Sequence, residues 1–409
     1  MNKILSFCVL VSAFVPMFAQ HKPLNLKPLV VRCGNDKMVH LFNPAGTVAQ
    51  RGLDEGELYY QKFLQDEVKL KAAAELQYII PVVFHVFANN GDKLVTQSQC
   101  QSALDRANED FNALNADISS VDPLFLNITG KVSVKFVLAQ KDPTGKPTNG
   151  ISYNPIKGGF GLTSKDDDIA KIAWDNRKYM NIYLMEDLYN DGVTNNSGVS
   201  WYPDINMTNK NTARVVFNYY YLGKTGASVA DDEFQSVFTH ECGHWLNLRH
   251  TFVEGSCEDK DYVTDTPPSD VSAAGCQGAV INRCGGIINY ENYMDYNATC
   301  YKMFTKEQTN RMLAALNHES RKSLWSTQNL IDTGIVQAAS DTKKSFEIRY
   351  NIENNKLITN AESVNISNKG NVVSFTSNIA ETDLAGLKSD LYTLVFKKGT
   401  DMMTVYLFK

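Results

Sequence analysis

The chain holds only seven histidines in 409 residues. Three of them fall in one short stretch, HECGHWLNLRH, from His240 to His250. No other feature constrains the fold as tightly. His240 and His244 are four apart, so an α-helix projects both from one face. Two imidazoles so placed can bind one ion at about 2.0–2.1 Å each. Glu241 follows the first histidine and can reach a water beside the ion without ligating it. His250 lies six residues on, and a continuing helix would carry it past the ion. The helix must therefore stop and the chain turn back. Asn247 permits that turn, because asparagine ranks next to glycine in tolerating a positive φ. Three histidines leave a fourth position open, the pattern of a catalytic rather than a structural zinc. Zinc acidifies water and polarises a carbonyl. Glu241 is then placed to take a proton and pass it to a leaving amine. The tetrahedral oxyanion calls for one further hydrogen-bond donor.

Export sets the context for this site. Ile4 to Phe18 is an apolar run after a short polar start, and Ala19-Gln20 suits cleavage, so residues 1–19 read as a signal peptide. The run is short for a membrane anchor, and no later stretch has transmembrane length. The expected protein is secreted, extracellular or at the cell surface, with no membrane span. The net charge of −5 gives no electrostatic case for nucleic acid. Eight cysteines fit an exported chain. Cys8 leaves with the signal. Cys257, Cys276, Cys284 and Cys300 cluster and read as two disulfides, whose pairing spacing alone does not choose. Paired CxxC spacing, which a structural zinc would want, is absent. Cys33, Cys100 and Cys242 remain, the last reading as a buried small apolar side chain.

Periodicity places the elements. Residues 54–77 read as a charged helix, 79–88 as a buried strand and 97–114 as a helix. Strands are expected at 132–138, 180–185 and 213–221, with a turn at Asp142-Pro-Thr-Gly. Residues 228–247 read as a helix capped by Ser228, with Asp231, Asp232 and Glu233 at its positive end. Residues 251–300 are loop-rich, and 304–325 read as a last helix. The expected domains are a pro-segment over 20–51, a catalytic domain over 52–325, a polar linker over 326–344 and an all-β sandwich over 345–409.

The residues resemble a known family. HECGHWLNLRH followed by Asn-Tyr-Met-Asp-Tyr at 292–296 is similar to the metzincin pattern, with Met294 as the methionine turn beneath the metal. IPVVFHVF, DPTGKPTNGI, MNIYLM, DYVTDTPP and MFTKEQTNRM resemble the pappalysin (cytophagalysin) group, over most of 78–312. The resemblance implies an α/β (α+β) metzincin fold, a twisted mixed sheet with backing and active-site helices over a loop-rich lower half. It implies Tyr296 as the oxyanion donor and crossed disulfides Cys257–Cys284 and Cys276–Cys300. It also implies a calcium loop with Asp261, Thr266 and the Val263 carbonyl as ligands, oxygen groups that suit a hard cation. Asn297-Ala298-Thr299 lacks the acidic residue of relatives that cleave before arginine, so that preference does not carry over.

Arg32-Cys33-Gly34 resembles a metzincin cysteine switch, in which the Cys33 thiolate takes the open zinc position and holds the enzyme latent. Arg51-Gly52 is then a candidate activating cut. The C-terminal stretch LKSDLYTLVFKKGTDMMTVYLFK resembles a type IX secretion sorting domain, which implies secretion machinery as a partner. The function expected is a secreted zinc endopeptidase acting on protein or peptide substrates, with zinc and calcium as cofactors. Two rivals stand beside it: a non-enzymatic surface or adhesion protein on the same scaffold, and a zinc hydrolase of non-peptide substrates.

Overall fold

The computed structural model describes residue 33 and residues 48–87, 95–224, 228, 235–258, 261–273, 281–336, 348–351, 356–368, 371–377, 381–388, 391–398 and 401–408, with only the backbone for 48–54, 349–351, 375–377, 391, 401, 406 and 408. Residues 1–19, expected as a signal peptide, and Asp231, Asp232, Glu233 and Cys276 lie outside these residues.

Helices α1 (Val48–Leu64) and α2 (Glu67–Glu75) occupy the segment expected as one helix. The break falls at Asp66, whose carboxylate accepts from Lys69 N and caps the second helix. Helix α1 runs through Arg51-Gly52, so that bond must leave the helix before a protease can take it in extended form. Strand β1 (Tyr78–Val86) follows, then helix α3 (Gln97–Phe111), capped by Thr96.

A six-stranded sheet forms the upper half. Strands β2 (Val134–Leu138), β3 (Ile151–Tyr153) and β4 (Met180–Met185) all run parallel to β1. Strand β6 (Val215–Asn218) runs parallel to β4, and β5 (Gly198–Ser200) closes the sheet antiparallel to β6. Every residue of β1, β4 and β6 is buried, as expected of strands covered on both faces. On one face Phe87, Phe160, Tyr183, Met185 and Trp201 form a core cluster. The buried Arg214 guanidinium lies 3.7 Å from the Trp201 ring centroid and pairs with Asp166 at 2.9 Å.

Helix α4 (Val237–Trp245) is buried along its whole length. It starts later than periodicity suggested, after Ser236. Ser228 is not its cap; that hydroxyl lies 2.7 Å from the Gly223 carbonyl. The valine- and tyrosine-rich segment 213–221 is strand only to Asn218 and then turns as a 3₁₀ helix. Helix α5 (Lys306–Asn317) opens with a reciprocal box between Thr305 and Gln308. It ends before residue 325 because His318 leaves helical geometry at ψ 149°. The segment expected as a linker opens instead with helix α6 (Thr327–Asp332), capped by Ser326. Leu330 and Ile335 are buried against Ile79, two apolar residues too sparse to make a periodic pattern. Among the described residues no helix is long and apolar enough to cross a membrane.

Among the described residues from 348 to 408 the only regular elements are strands. Strands β7 (Ile348–Asn351), β8 (Lys356–Thr359) and β11 (Glu381–Asp383) form one antiparallel sheet. Strands β9 (Ser363–Asn368), β10 (Asn371–Ser377), β12 (Leu391–Lys398) and β13 (Asp401–Phe408) form another. Leu357, Val364, Ile366, Leu384, Leu394 and Phe396, drawn from both sheets, share one core.

Candidate active site

Helix α4 presents His240 and His244 one turn apart, and the chain reverses at Asn247, whose φ is +72°. Leu248 N donates to the Gly243 carbonyl at 2.9 Å and Asn247 N to the His244 carbonyl at 2.9 Å, a left-handed helix stop. The turn brings His250 back. The three Nε2 atoms lie 3.0, 3.1 and 3.2 Å from one another. A tetrahedral ion with bonds of about 2.0–2.1 Å spaces its ligands about 3.3–3.4 Å apart, so the triangle fits zinc closely.

The protonation pattern fits as well. His240 Nδ1 donates to the Tyr293 carbonyl at 2.6 Å, and His244 Nδ1 donates to the Leu248 carbonyl at 2.8 Å. Each ring therefore turns a bare Nε2 lone pair toward the other, an arrangement that a cation between them stabilises. Burial, with His240 and His250 adding to it, pushes His244 well below the usual histidine value, which keeps the imidazole neutral. Cys33 Sγ completes the group, 3.4 Å from His244 Nε2. Among the described residues, these four are the one cluster of histidine, cysteine and carboxylate groups that could hold a metal.

Glu241 is fully buried. Ser200, at the end of the edge strand β5, donates to its Oε2 at 3.1 Å. A Cβ on Gly198 would come within 2.6 Å of Glu241 Cγ, so the strand must be bare there to admit the carboxylate. Gly243 works the same way beneath the three histidines. A Cβ on it would meet Met294 Sδ at 2.5 Å, and Met294 is fully buried. The Tyr296 hydroxyl donates to the Cys33 carbonyl at 3.1 Å. Asp295, between these two, accepts from Ala273 N at 2.9 Å and Tyr296 N at 2.7 Å. Burial raises its carboxyl to about 7. The Tyr301 hydroxyl donates to the Asp295 carbonyl.

Cys257 and Cys284 are joined by a disulfide, and Cys300 is also disulfide-bonded. Cys100 and Cys242 are buried free thiols; burial pushes Cys100 up to about 12, leaving it inert at neutral pH. In the 261–266 loop the Thr266 hydroxyl lies 2.6 Å from Asp261 Oδ2 and 2.9 Å from the Val263 carbonyl, so the three oxygens converge. Ser200, Gly198 and the Tyr293 carbonyl were not apparent from the motif. The glutamate implies a partner, but only strand pairing shows that GVS at 198–200 supplies it.

A family model named Peptidase_M43 and described as pregnancy-associated plasma protein-A matches residues 163–317. Mature mirolysin of Tannerella forsythia, solved in complex with a cleaved peptide, is 31% identical with a TM-score of 0.54, covering 62% of this chain and 98% of that one. A promirolysin mutant of the same organism is 28% identical with a TM-score of 0.57, covering 74% of this chain and 98% of that one. An extracellular metalloprotease of Neurospora crassa is 33% identical over 151 residues, 34% of this chain and 49% of the relative. The chain thus spans about half the length of that relative.

Proposed function

The chain belongs to the Peptidase_M43 family, and from that premise we propose that it is a secreted zinc-dependent endopeptidase made as a latent zymogen. The observation that carries the reading is the convergence of three Nε2 atoms within 3.2 Å of one another, with a buried glutamate next to the first in the helix. His240, His244 and His250 would hold the zinc. Bound there, zinc supplies Lewis acidity to a carbonyl and to a water.

The chain's own groups do the rest. Glu241 takes a proton from the attacking water and delivers it to the leaving amine. Ser200 donates to Oε2 and restrains the carboxylate there. Tyr296 gives its hydroxyl proton as a hydrogen bond to the oxyanion once it releases the Cys33 carbonyl. Strand β5 ends the sheet, and an extended substrate can add to such an edge by backbone hydrogen bonds.

Cys33 supports latency: its thiol reaches the metal ligands and its carbonyl occupies Tyr296. The promirolysin neighbour also covers more of this chain than the mature form does. Calcium at Asp261, Val263 and Thr266, a second disulfide pairing Cys276 with Cys300, and sorting by the β-sandwich over 345–409 complete the reading.

The test is cleavage of a denatured protein mixture by the purified chain, before and after limited proteolysis of the leader, beside Glu241→Ala. Cleavage that grows on leader removal and vanishes with the mutation and with chelator supports the reading. Wild type and mutant equally inert, with zinc bound at unit stoichiometry, would favour a binding role.

A further inference from the structure

Behind the metal ligands lies a polar network that the proposed chemistry does not use. Asp110, on α3, is buried. Its Oδ2 accepts from the Thr239 hydroxyl at 2.6 Å. Its Oδ1 accepts from the Tyr293 hydroxyl at 2.8 Å and from Arg106 Nε at 2.8 Å. Arg106 Nε also lies 2.8 Å from Ser236 Oγ, at the start of α4. Thr239 directly precedes His240 in the helix. Tyr293 supplies the carbonyl that receives the His240 Nδ1 proton at 2.6 Å.

One carboxylate therefore grips both supports of a single imidazole. Thr239 fixes the helix backbone from which the ring projects. Tyr293 fixes the acceptor that sets the ring's tautomer and rotation. His240 and Tyr293 are 53 residues apart, and no local backbone pattern ties the two supports together. A buried carboxylate is expensive unless charge and hydrogen bonds compensate it. Here Arg106, Thr239 and Tyr293 supply both.

We propose that Asp110 is a positioning residue for His240, clamping α4 to the Tyr293 turn so that Nε2 stays aimed at the metal, and that it acts on metal affinity separately from fold stability. The inference rests on the zinc reading above. Partners that orient a metal ligand typically change affinity or activity by about 10–100-fold when removed. Asp110 acts one bond further out, so a weakening of about 10-fold is expected, the low end of that range.

The experiment uses the full chain as wild type, Asp110→Asn, Tyr293→Phe and Asp166→Asn. The last disturbs the buried Arg214 pair on the sheet, outside the Asp110 network. Zinc affinity is measured by competition with a chromophoric chelator, and the thermal midpoint on the zinc-free protein. Asp110→Asn and Tyr293→Phe should bind zinc about 10-fold more weakly. Asp166→Asn should lower the midpoint and leave zinc affinity unchanged. If Asp110→Asn does not fold, Tyr293→Phe, which lacks one hydroxyl, carries the test. Zinc affinity equal to wild type in the foldable variants overturns the inference. So does a loss that merely tracks the midpoint across all three. Wild type that takes up no zinc overturns the zinc reading itself, and this inference with it.

Discussion

The sheet above the three clustered histidines and the loops below them are held by opposite means. The upper half is a platform of buried side chains. Strands β1, β4 and β6 are covered on both faces, and their stability comes from apolar area removed from water. The lower half, from Thr251 to Met303, has a small apolar cluster of Ile288, Tyr290 and Met303 packed with Phe125. Beyond it the chain depends on specific polar contacts. Glu291 accepts from Asp122 N at 2.8 Å and pairs with Lys302 at 2.5 Å. Asn292 and Gln308 exchange amide hydrogen bonds. Asn297 donates to the Tyr290 carbonyl, and a disulfide closes one loop. The platform fixes Glu241 from above; the polar loops fix Met294, Tyr296 and the acceptor of His240 from below. A side chain can be swapped for a similar one in the first kind of structure more readily than in the second, where each bond has one partner.

The largest expected effect tests whether both halves serve one reaction. Glu241→Ala should lower peptide cleavage by about 10³-fold while leaving zinc stoichiometry and the thermal midpoint near wild type. Retained cleavage would detach the upper half from the chemistry. Next, acid should attack the platform. His85 is buried in β1, bonded to Asn181 at 2.8 Å and stacked on Tyr183. Burial lowers its pKa from 6.5 to about 4. A lowered histidine contributes stability that is present above pH 6.5 and is lost as pH falls toward 4. The loss should be on the order of 3 kcal/mol. Denaturant unfolding across that window should show it, and His85→Phe should flatten it.

Removing the Cys257–Cys284 bridge by paired serine substitutions should lower stability by about 3 kcal/mol. Limited proteolysis should then cut first within 251–300; first cuts in the sheet segments would erase the contrast between the halves. Smaller still, Gly243→Ala forces Met294 aside where the halves touch. An overpacking penalty of about 2 kcal/mol, read as a lower thermal midpoint, should be relieved by also making Met294→Ala.

Legibility in the sequence follows the same division. MNIYLM at 180–185 is a strand at those very bounds, because a run of buried apolar residues states its own environment. Asn247 announced its turn because few residues accept φ of +72°. His244 finds its carbonyl four residues on, inside the motif. His240 finds its own in Tyr293, and no local pattern reveals that. The start of α4 was obscured in the same way. Ser228 looks like a cap, yet its hydroxyl is taken up by the preceding turn. Residues 327–332 read as linker because Leu330 is buried in a cluster with Ile79, a residue distant in sequence. Ser200 was hidden because serine in a strand says nothing of which carboxylate it faces.

Asn247 has a second consequence, on the opposite side of the turn. Helix α1 lays Gly56 against it, and a Cβ there would stand 2.9 Å from Asn247 Oδ1. The two positions share one side chain's worth of room. The left-handed stop could equally be made by glycine, which would return that room to position 56. The exchange Gly56→Ala with Asn247→Gly should therefore be tolerated where Gly56→Ala alone is not. Helix and turn thus form a lock and key, in which the bulk can sit on either piece but never on both.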